Sequence, residues 1–75
     1  MKYAHDVIAL MSAYPGRPYR PRAIVHYVCP RPIDKKELHA VRIGVRRVLL
    51  ELMVIGSVIE KTEDGGKRPF YCWRK

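Results

Sequence analysis

Seventy-five residues make one domain near the lower size limit for a self-supporting hydrophobic core. With 48% hydrophobic residues the chain has enough apolar material to fold, and its net charge of +8 and pI near 9.9 favour a polyanionic partner. No apolar run reaches the length of a membrane span and the N-terminus lacks a signal-peptide layout, so no membrane attachment is expected.

The charge is uneven. Between Gly16 and Arg47 nine basic residues face only Asp34 and Glu37, a local +7 that holds nearly the whole excess. Such concentration favours a localised patch over general solubility. The two cysteines, Cys29 and Cys72, have no short-range pairing motif and are read as free thiols in a reducing cytoplasm rather than as a disulfide.

In chain order, Tyr3 to Tyr14 is predicted as a first helix. Ala4, Val7, Ile8 and Met11 form its apolar stripe, Asp6 suits the dipole in the first turn, and Pro15-Gly16 ends it. GRPYR, residues 16–20, is extended, and Tyr19 is the centre of one short strand. Pro21 opens a second helix at the position where its missing donor costs nothing. That helix runs to about Val28 and buries Ile24, Val25 and Val28, and Cys29-Pro30-Arg31-Pro32 stops it.

Asp34 to Gly56 reads as one long helix. Asp34 with Glu37 three residues later is a capping-box pattern, and Gly56 is a C-terminal stop. Leu38, Val41, Val45, Val48, Leu49, Leu52 and Ile55 recur at three- and four-residue steps and form the core stripe. The front half carries Lys35, Lys36, His39, Arg42, Arg46 and Arg47 away from that stripe. The rear half is apolar almost all round and is expected to be buried.

After Gly56, residues 57–63 alternate and are rich in β-branched side chains, which predicts a strand. Asp64-Gly65-Gly66 is a hairpin turn signal, because glycine takes positive φ at no steric cost. Arg68 to Trp73 is the returning strand.

Helix, short strand, helix, turn, helix and two-stranded hairpin is an order that resembles the winged helix-turn-helix superfamily. The stretch VRRVLLELMVIGSVIEKTEDGGKRPFYCW carries most of the resemblance, with Gly56, Ile59, Gly65, Gly66 and Tyr71 at the expected kinds of position. It covers nearly the whole chain. It departs from the pattern in a longer front to the third helix and two prolines in the turn before it. The resemblance implies an α+β fold whose third helix reads DNA and whose hairpin is a wing, in a small transcriptional regulator of phage, plasmid or operon type. A bacterial or phage-encoded cytoplasmic protein is the matching expectation.

On this reading Lys35, Lys36, His39, Arg42, Arg46 and Arg47 meet double-stranded DNA, with Arg42 to Arg47 nearest the bases. Arg22 and Arg31, with Arg17 and Arg20, bracket the second helix and suit phosphates. Lys67 and Arg68 in the wing suit phosphates or the minor groove. The competing reading of each is a solvated basic surface. Gly44, inside the long helix, is either a close approach of the DNA backbone or another helix, or a tolerated defect.

Ile43, Leu50 and Val54, with Met53 at their edge, form a second apolar stripe. They are candidates for a homodimer or partner contact, with burial under the first helix or the wing as the alternative for Leu50 and Val54. They also support a rival function, a winged-helix module that binds a protein partner. His5, His26, His39 and the cysteines supply metal-ligand types without a zinc spacing, so no metal and no cofactor are expected. No nucleophile–base pair or phosphate-cradling loop is visible, and catalysis is not expected.

Overall fold

The computed structural model describes every residue except Met1, Asp64, Gly65 and Lys67. Helix α1 (Ala4–Ser12), helix α2 (Pro21–Val28) and helix α3 (Lys35–Val54) precede an antiparallel hairpin of strands β1 (Val58–Glu63) and β2 (Arg68–Trp73). This is an α+β fold consistent with the winged-helix layout expected from the sequence.

Helix α1 is shorter at both ends than its apolar pattern suggests. Tyr3 stands outside it in the left-handed region, φ 73°, and the chain leaves the helix at Ala13. Val7 and Met11 are buried, whereas Ile8, placed in the same apolar stripe, lies on the outer side. Beyond Pro15 the Gly16 amide donates to the carbonyl of Trp73 at 2.8 Å, which ties this turn to the end of β2.

The short strand at Tyr19 is a single residue. Tyr19 and Tyr71 exchange both backbone hydrogen bonds, at 2.7 and 2.8 Å. The next ladder donor on that side would come from residue 21, and Pro21 has none; it starts α2 instead. The stub therefore pins the N-terminus of α2 against β2 and goes no further.

Both ends of α3 are closed by their own chemistry. The Asp34 carboxylate accepts from the Glu37 amide at 2.8 Å. The return arm of the box is displaced by one residue, since Glu37 accepts from the Ile33 amide at 3.1 Å rather than from that of Asp34. At the far end Gly56, φ 83°, donates to Met53 and Ser57 donates to Leu52, the paired bonds of a Schellman motif.

One core joins the helices to the hairpin: Val7 and Met11 from α1, Ile24 and Val25 from α2, Val41, Val45, Val48, Leu49 and Leu52 from α3, with Tyr19 and Val58. Val28 and Leu38 are only half-buried at its margin. Two expectations fail at the rear of α3. Ile55 is 69% exposed, and Leu50 and Val54 stand 48% and 82% exposed rather than under α1 or the hairpin. A single thin core covers one arc of a 20-residue helix, and among the described residues no element covers the opposite arc.

The hairpin is in register from Val58 opposite Trp73 to Glu63 opposite Arg68. Of the expected Asp64-Gly65-Gly66 turn only Gly66, φ 92°, falls within the described residues. Side chains alternate across the sheet, so Val58, Glu60 and Thr62 share a face with Trp73, Tyr71 and Pro69. That face meets the helices.

Candidate nucleic-acid interface

Every basic residue assigned to α3 from the sequence is exposed: Lys35, Lys36, His39, Arg42, Arg46 and Arg47. Among the described residues the one ion pair joins Arg20 to Glu63, at 3.0 Å, and it uses none of them. Among the described residues their charge is neither folded back onto carboxylates nor covered by the chain.

At about 100° per residue, the front of α3 divides into two flanks. Lys35, His39, Arg42 and Arg46 fall on the side toward α2 and the hairpin. Lys36, Ile43 and Arg47 fall on the outward side, in line with Leu50 and Val54. The long helix thus presents its cations over a wide arc, and only part of that arc joins the rest of the site.

The joined part is a cleft of about 830 Å³ between α2, α3 and the hairpin. Arg22 and His26 enter it from α2, Arg42 and Arg46 from α3, and Glu60 and Tyr71 from the hairpin. Arg22 and His26 are four residues apart, which puts them on one face of α2. Arg31 is exposed in the turn before α3 and does not line the cleft. Arg68 lines a smaller recess of about 400 Å³ with Arg20 and Arg22, where α2 begins beside β2. Lys67 lies outside the described residues.

Arg20 is a correction to the sequence reading. Its guanidinium donates to the carbonyls of Arg68 and Pro69 at 2.8 and 3.3 Å, pairs with Glu63, and lies 5.5 Å from the Phe70 ring centre. It straps the hairpin to the Tyr19 stub instead of facing a partner.

Glu60 and Tyr71, neither singled out from the sequence for this role, form the hairpin's contribution. They sit directly opposite in the register, and the Tyr71 hydroxyl donates to the Glu60 carboxylate at 3.0 Å. Burial, the hydrogen bond and the charge of Glu60 raise the Tyr71 pKa, and Arg46 opposes them. The phenol therefore stays protonated at neutral pH and holds Glu60 as its acceptor. One engaged carboxylate facing three guanidiniums leaves the cleft cationic. The missing signal was the register, which sets Tyr71 opposite Glu60.

Cys29 also lines the cleft, and its thiol donates to Glu37 at 3.5 Å. Burial, followed by the hydrogen bond and charge of Glu37, raises its pKa, which disfavours the reactive thiolate. Gly44 lies on the opposite side of α3, against the Tyr3 ring. Its place in the sequence is explained by another part of this chain rather than by a nucleic-acid backbone.

No helix among the described residues is long and apolar enough to cross a membrane. No family model, curated protein or solved structure matches the chain.

Proposed function

We propose that this protein binds double-stranded DNA and regulates transcription as a small winged-helix protein. The exposed front of α3 enters the major groove, whose width of about 12 Å admits a helix. Arg22 at the start of α2 and Arg68 at the start of β2 face the flanking phosphates. Arg42 and Arg46 are the residues nearest the base edges, and Lys35 and His39 extend the contact along the groove. The observation that carries this reading is the convergence of Arg22, Arg42 and Arg46 on one cleft from two helices, with none of them ion-paired among the described residues.

The test is fluorescence anisotropy of a labelled duplex titrated with the protein, alongside duplex RNA of the same sequence. Preferential binding of the DNA duplex is expected. Selection of genomic fragments followed by sequencing then asks for sequence preference, and recovery without enrichment would reduce the role to general DNA coating. The rival reading, a protein-interaction module, keeps one observation in its favour, the exposure of Leu50 and Val54.

A further inference from the structure

We infer that the outward stripe of α3 is a self-complementary surface on which a second copy of this chain docks, the two α3 helices lying antiparallel. Ile43, Arg47, Leu50 and Val54 follow one another at steps of four, three and four, the spacing of a seam between two helices. At 100° per residue they lie within an arc of about 60°. Ile43, Leu50 and Val54 are 43%, 48% and 82% exposed. Among the described residues none of the three joins the core: Tyr3, just ahead of α1, meets α3 at Gly44, and α2 and the hairpin flank it at the cleft. Met53, grouped with this stripe on sequence grounds, instead packs half-buried against the core and takes no part.

The charges select both occupant and direction. Arg47 sits inside the seam and Glu51 beside it on the same flank, both exposed and not ion-paired among the described residues. In a parallel pair Arg47 would meet the partner's Arg47 and Glu51 the partner's Glu51, like against like. In an antiparallel pair Ile43 meets the partner's Val54, and Leu50 packs on the stem of the partner's Arg47. Glu51 then comes beside the partner's Arg47. Two-fold symmetry repeats each contact, so one stripe supplies both halves of the interface. An arginine in an apolar seam thus finds its acid on the other copy.

The seam spans about 16 Å of helix. That is a small interface by the standard of stable complexes, so a reversible dimer of micromolar affinity is expected. Lys35, His39, Arg42 and Arg46 lie on the adjoining flank and stay uncovered, whereas Arg47 passes from the DNA contact to the dimer. The inference does not depend on DNA binding.

Sedimentation velocity of the full chain without DNA, over a concentration series reaching about 1 mM, tests it. The sedimenting mass should rise from 8.8 kDa towards twice that value. Leu50→Glu should abolish the rise. Arg47→Glu and Glu51→Arg should each weaken the dimer at least tenfold, and the charge-swapped double variant should recover it. Circular dichroism checks that each variant stays folded, as exposed positions permit. A monomer at every concentration overturns the inference. So does a dimer that survives Leu50→Glu, or single-variant losses that the swap does not restore.

Discussion

The Cδ2–Cε2 edge of the Tyr3 ring fills the gap left by Gly44: a Cβ there would meet Tyr3 Cδ2 at 2.5 Å and Cε2 at 2.6 Å. Glycine in a helix interior is disfavoured by about 1 kcal/mol relative to alanine. Here that cost lets a half-buried aromatic ring just ahead of α1 close on α3. Gly44→Ala should therefore fail to stabilise the protein and should lower stability by about 1 kcal/mol, as overpacking does. In a Tyr3→Ala background the same change should raise stability by up to about 1 kcal/mol. Urea unfolding of the four proteins measures both, and equal effects in the two backgrounds would rule out the coupling.

Arg20 and Arg46 should separate folding from binding. The Arg20–Glu63 pair has side chains 39% and 53% exposed, so solvent screening limits its worth to under about 1 kcal/mol. With its bonds to the Arg68 and Pro69 carbonyls, Arg20→Ala should cost about 1 kcal/mol of stability and little affinity for DNA. Arg46→Ala should do the reverse. Stability should stay within about 0.5 kcal/mol of the parent, and specific DNA binding should weaken by about 1–3 kcal/mol. Melting curves and duplex titrations on the same samples distinguish them. Equal loss on all sequences would mark Arg46 as a phosphate contact.

Tyr71 should give the fold a sensitivity to alkali. Its pKa in the fold is raised above the ordinary value of about 10. The protonated phenol is thus favoured by folding, and its contribution is fully present below pH 10. That contribution is lost as pH rises through the raised value. Tyr71→Phe should cost about 1 kcal/mol at pH 7 through the lost bond to Glu60. The gap between variant and parent should narrow above pH 10, because the loss from Tyr71 titration is confined to the parent. Denaturant midpoints at pH 7 and above pH 10 decide this, and a constant gap would contradict it.

The helices were legible because each carries its own punctuation. Pro21 opens α2, the Asp34–Glu37 box opens α3 and Gly56 closes it, all with local bonding that the sequence dictates. Burial was less legible. Helical periodicity identified Val41, Val45 and Leu49 but also took in Ile55, and the apolar content of the rear half suggested burial for Leu50 and Val54. Whether an apolar side chain is covered depends on whether another element reaches it, and a chain this short runs out of elements. The cations of α3 could be read from the wheel. The roles of Arg20, Glu60 and Tyr71 could not, because they arise from the Tyr19 bridge and the strand register, contacts between residues far apart in sequence.

The most direct test of the DNA reading is the salt dependence of duplex binding. If about six phosphates are neutralised by the front of α3, the start of α2 and the hairpin, the logarithm of the binding constant should fall against that of salt concentration with a slope of roughly −5. Arg22→Ala and Arg68→Ala should each make the slope shallower by about one. A flat response, or no binding to duplex DNA at low salt by a folded protein, would contradict it.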